Sequence, residues 1–106
     1  MPHYCFKQPN RKYTVWSTIV DAPILYNATK ATVWQDENVR DEFEWKTWCK
    51  ESIEDALDLG DIECCLYNGN MTKEELLDYF KEIKYTGQFY EYAKNWVPEE
   101  DSADEI

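Results

Sequence analysis

The chain has 106 residues, with 22 acidic side chains against 11 basic ones and a formal net charge of −11; that length points to one domain. Such acidity argues against direct binding to nucleic acid or to an anionic membrane, and no apolar run approaches the roughly 20 residues that span a bilayer. Five Trp, eight Tyr and four Phe supply large bodies for a core, so the acidity does not mean disorder.

Residues 12–20 are dense in β-branched and aromatic types and predict a strand. Tyr4-Cys5-Phe6 can pair with it across Gln8-Pro9-Asn10-Arg11, where Pro and Asn favour a turn. Asp21-Ala22-Pro23 is expected to end the strand. Residues 30–34 read as a further strand, with a helix starting near Thr29 as the rival.

Residues 37–59 carry a helical pattern. At about 100° per residue, Val39, Phe43, Cys49, Ile53, Ala56 and Leu57 share an arc of roughly 140°. Glu37, Asp41, Glu44, Glu51, Asp55 and Asp58 fall opposite, within about 100°. Asp36 or Asn38 can cap the start, and Gly60 sits where a helix-ending residue is wanted. Ser52-Ile53-Glu54-Asp55 resembles a capping box and marks a possible break.

Residues 62–67 read as a buried strand closed by Asn68-Gly69-Asn70. Thr72 and Glu75 form a capping box that opens a helix running through Lys84, with Leu76, Leu77, Phe80 and Ile83 inward. Phe89, Tyr92, Ala93 and Trp96 are spaced for a last helix stopped before Pro98. The expected architecture is α+β: a small, mainly antiparallel sheet of the N-terminal strands plus residues 62–67, with two or three helices packed on one face. Residues 1–98 form the single globular domain and residues 99–106 an acidic disordered tail.

Charge is sorted along this chain. Residues 1–34 carry +3, residues 35–63 carry −8, residues 64–98 carry −1 and the last eight carry −5. Self-repulsion of this size opposes compaction, which suggests that the field has a use. On a continuous helix the six opposing carboxylates would form a row at intervals of about 4.5–6 Å, the larger gap being filled by Trp48. Such a row can occupy a groove lined with Lys and Arg; the alternative is a solvated face that aids solubility. Trp48, flanked by acids, is either an interface anchor or packed inward.

Other chemistries find little support. Cys64 and Cys65 are adjacent, and neighbouring strand residues point to opposite faces, so no metal is expected and buried reduced thiols are. His3 is the only histidine, which leaves no nucleophile–base arrangement. No Gly-rich loop cradles phosphate, so neither a cofactor nor an enzyme activity is expected. The asparagines of two Asn-x-Thr sequons, Asn27 and Asn70, are read as chance matches, because Met1-Pro2-His3-Tyr4-Cys5 lacks the regions of a signal peptide. A cytoplasmic location follows as an expectation.

The run from Val15 to Pro23 resembles small proteins of tailed bacteriophages. In size, acidity and aromatic content the chain also resembles phage-encoded inhibitors of host defence, including anti-restriction and anti-CRISPR proteins, several of which imitate DNA. The resemblance implies a bacterial cytoplasmic setting and a host protein with a basic, nucleic-acid-binding surface as partner. The expected site is then Glu37, Asp41, Glu44, Trp48, Glu51, Asp55 and Asp58. The alternatives are a nucleotide-sequestering module, with Arg11, Lys12 or Lys30 near a phosphate, and an acidic assembly or scaffold protein.

Overall fold

A computed structural model describes residues 3–97. Three strands open the chain, β1 (His3–Lys7), β2 (Tyr13–Ser17) and β3 (Ala22–Ala28). β1 and β2 pair antiparallel with Cys5 opposite Val15 and Phe6 opposite Thr14. The hairpin closes where Pro9 and Asn10 predict it. Gln8 and Lys12 join through their backbones at 2.7 Å, and Arg11 takes a positive φ of 70°.

The strand ends at Ser17, ahead of Asp21-Ala22-Pro23, and a further strand that the sequence pattern did not predict begins there. Asp21 turns the chain at φ 52°, and Ala22 and Pro23 enter β3, opposite Ser17 and Trp16. The sheet order is β3-β2-β1-β4, so β3 lies at an edge. An edge strand has one row of backbone groups outside the ladder, and there the missing N–H of Pro23 is tolerated.

Residues 30–34 are helix, not strand: α1 (Lys30–Asp36) starts at Thr29, whose side chain accepts from the Thr32 N–H. The single helix expected over residues 37–59 is broken. Asn38 leaves α1 with φ 55°. Asp41 caps α2 (Glu42–Trp48), and Cys49 turns extended into the two-residue strand β4 (Cys49–Lys50), which pairs parallel with β1. Ser52 then caps α3 (Ile53–Ala56), and Asp58 caps α4 (Leu59–Tyr67) in a reciprocal box with Asp61. Each capping residue holds an extended backbone while its side chain satisfies an N–H of the following turn. The helix therefore restarts at each cap.

This segmentation displaces other expectations. Residues 62–67 are helical, because Ile62, Cys65 and Leu66 bury one face at i, i+3, i+4. The sheet takes Cys49 and Lys50 in their place. Gly60 lies in the first turn of α4 rather than ending a helix. Phe43, expected inside, is 80% exposed.

α5 (Lys73–Glu82) and α6 (Gln88–Asn95) follow the sequence pattern closely. The Thr72–Glu75 capping box is present, Leu76, Phe80 and Ile83 are buried, and Leu77 is half-buried. In α6, Phe89 and Ala93 are buried, while Tyr92 and Trp96 pack at the margin.

Helices cover both faces of the sheet, not one. Phe6 and Trp16 meet Ile53, Leu57, Ile62, Leu76, Phe80 and Phe89 in one core. Cys5, Val15 and Ala28 meet Val33, Val39, Trp45 and Cys49 in another. Alternate strand residues point to opposite faces, so α1 and α2 lie on one side and α3 to α6 on the other. The acidic tail predicted for residues 99–106 falls outside the described residues.

Candidate partner-binding surface

The chain passes from one face of the sheet to the other at β4, the edge strand. α2 packs in the core beneath one face and α3 in the core beneath the other. The predicted site residues follow this crossing. Asp41 caps α2 and Glu44 lies in its first turn; Glu51 follows β4; Asp55 lies on α3; Asp58 caps α4. They are carried by separate elements and not by one helix.

Glu37, Glu44 and Trp48 do come together. With Asn38, Val39 and Arg40 they line a cavity of about 260 Å³. Glu37 lies against β1, its carboxylate 2.9 Å from His3 Nδ1. Glu44 accepts from the Arg40 backbone N–H and from Arg40 Nε, each at 2.9 Å. Those two hydrogen bonds hold the Glu44 carboxyl below its ordinary pKa. Trp48 is half-buried, with its indole Nε1 donating to the His3 carbonyl at 3.0 Å. Its ring meets Trp45 edge-on at 6.2 Å, and Trp45 stacks on Trp34 at 5.9 Å. Trp48 is thus a cavity wall, and the exposed aromatic of α2 is Phe43, between Glu42 and Glu44.

His3, Asn38, Val39 and Arg40 are not among the expected site residues. The four-residue spacing of Arg40 and Glu44 is a legible helical ion-pair signal. The partnership of His3 with Glu37 spans 34 positions and had none.

The electrostatics differ across the edge. On the α1–α2 side, Glu37, Glu42 and Glu44 face His3, Lys30 and Arg40. Lys30 also sits 5.6 Å and 5.2 Å from the Trp34 and Trp45 ring centroids. On the other side, residues 51–63 hold six acids and no base. Their partners there are neutral: Glu54 accepts from the Tyr85 hydroxyl, Glu63 from the Tyr92 hydroxyl, and Asp58 and Asp61 from backbone N–H groups. Burial, followed by the Asp58 and Asp21 charges, raises the Asp61 carboxyl, against the bond from the Asp58 N–H. Six acids thus stand on α3, α4 and the residues that precede them.

Neither Arg11 nor Lys12 lines the cavity beside Trp48 or the pockets bordered by Leu66 and Trp96, by Glu51 and Tyr85, and by Leu57 and Phe89, and Lys30 is engaged by Glu42 and two indoles. Among the described residues no group of three or more His, Cys, Asp or Glu side chains could hold a metal ion, and no helix is long and apolar enough to cross a membrane.

The fold and this edge define an acidic α+β domain with a four-stranded mixed sheet between two helical layers. Comparison of the chain with known protein families, with curated proteins and with solved structures finds no match.

Proposed function

We propose that this chain is a non-enzymatic inhibitor of the phage type, which occupies the basic surface of a host nucleic-acid-handling protein. What supports the reading is the run of residues 51–63, which holds six acids and no base, and in which Glu54, Asp58, Asp61 and Glu63 accept hydrogen bonds from neutral donors. The nearest bases are Lys50, which precedes the run, and Lys7, which shares a pocket with Glu51 and Glu54. An excess of negative charge around two short helices steers a basic partner toward them. Phe43, 80% exposed on α2, supplies an apolar anchor of the kind that dominates binding energies.

A straight row of carboxylates on one helix is not invoked, because residues 37–59 are divided among several elements. The decoy is instead an acidic border around the β4 edge, from Asp41 to Asp58. The cavity beside Trp48, at about 260 Å³, lies below the roughly 300–1,000 Å³ usual for small-molecule sites. At this cavity that size favours insertion of a partner side chain.

The test is capture from bacterial lysate at low and high salt, followed by elution with duplex DNA. Screening over about 8–10 Å weakens an electrostatic complex as salt rises. The expected result is a captured protein released both by salt and by DNA, and lost with Glu51→Lys/Asp55→Lys. Capture that resists salt and DNA, or that persists in the charge-reversed variant, rejects the mechanism.

A further inference from the structure

Cys5 and Cys49 stand opposite one another in the parallel pairing of β1 and β4. Their sulfur atoms are 2.7 Å apart, and both cysteines are free thiols. Two sulfurs at that separation are inside van der Waals contact, though still short of the roughly 2.05 Å of a covalent bond. Neighbouring strands run about 4.8 Å apart, within the span of about 4.4–6.8 Å that a disulfide bridges between α-carbons. The other two cysteines are placed differently. Cys64 is exposed on α4, and Cys65 is buried in the core on the opposite face of the sheet.

We propose that Cys5 and Cys49 are a reversible disulfide site, closed by a low-molecular-weight disulfide such as oxidised glutathione. Cys49 is the entry point. It retains 7% exposure against 0% for Cys5, and it begins a strand of only two residues at the sheet edge. The Cys49 thiol loses its proton and attacks one sulfur of the glutathione disulfide, which expels the first glutathione thiolate. Cys5 then loses its proton and attacks the Cys49 sulfur of the mixed disulfide, expelling the second. The two protons leave on two glutathione thiols, and the two electrons reduce the oxidant. The hydrogen bond with Cys49, followed by burial, raises the Cys5 thiol pKa, which keeps it protonated until that second step.

The bond would fasten β4 to β1 directly beneath the candidate surface. Cys49 follows Trp48, and Cys5 lies two residues from His3, whose carbonyl the Trp48 indole already engages. Cross-linking positions 44 apart restricts the unfolded chain substantially. This inference does not depend on the proposed partner.

The full-length chain is to be incubated with oxidised glutathione, digested with trypsin without reduction, and weighed. The expected product is lighter by two hydrogens and joins peptide 1–7 to peptide 47–50. The same link should form in Cys64→Ser, and the melting temperature should rise by on the order of 10 °C, reversibly with dithiothreitol. Cys49→Ala should show no such rise. Glutathione found only on Cys64, with the two peptides separate, overturns the proposal, as does a link through Cys65. The peptide map of the unsubstituted chain decides the matter even where Cys49→Ala folds poorly.

Discussion

The indole of Trp48 donates to the backbone carbonyl of His3 at 3.0 Å, which ties the last turn of α2 to the start of β1. Trp48→Phe keeps most of the ring but removes that donor. The expected loss is about 1 kcal/mol in urea unfolding, the usual net value of one hydrogen bond. An unchanged midpoint would show that the bond contributes nothing.

Ser52 offers a direct test of segmentation. Its side chain accepts from the Asp55 N–H and starts α3. Ser52→Ala should therefore cost about 1 kcal/mol, as loss of an N-cap does. In an unbroken helix the same change would be stabilising, because alanine is the better interior residue. Denaturant unfolding of the variant distinguishes the two by sign.

Gly87 is required for space. Its φ of −84° is open to any residue. A Cβ there would overlap the Tyr85 hydroxyl and the Glu54 carboxylate, which are hydrogen-bonded to each other at 2.5 Å. Gly87→Ala should destabilise by roughly 1–3 kcal/mol, the range for overpacking. A crystal structure of the variant should show the Tyr85–Glu54 contact displaced; an intact contact at full stability would contradict the steric reading.

High pH should unfold the protein. Burial raises the pKa of both Tyr79 and Tyr85, the latter helped by its bond to Glu54. Burial also pushes the Cys65 thiol up to about 12. Each group is thus protonated in the fold above the pH at which the unfolded chain releases its proton. The unfolded state then binds fewer protons, and stability falls as pH rises. The loss begins near the unfolded thiol value, about 8.5, and steepens above the tyrosine value, about 10. Denaturation midpoints across this window measure it, and Tyr85→Phe should flatten the slope; a flat profile in the parent chain would refute the assignment.

What was legible in the chain came from local pattern. The β1–β2 hairpin, the Thr72 capping box and the inner face of α5 each rest on residues within a few positions of one another. The apolar arc assigned to residues 37–59 named Val39, Cys49, Ile53 and Leu57, all of them buried. It named them within the wrong element: Val39 lies between α1 and α2, Cys49 in β4, Ile53 in α3 and Leu57 at the C-terminal cap of α3, and a 100° period records none of these breaks. Ser52-Ile53-Glu54-Asp55 carries a legible break signal, whereas the caps at Asp41 and Asp58 are found in the structure.

Sequence by itself determined the charge and its sorting, the aromatic content, and the elements whose start and stop signals lie close together. Tertiary structure alone decided that Cys49 would join the sheet, that α1 and α2 would cover a second face, and that Phe43 rather than Trp48 would be left in solvent. Those outcomes depend on pairing between β1 and a segment more than 40 positions later. Neither segment's own periodicity records that pairing, because the partner's groups complete the ladder and define which side is inside.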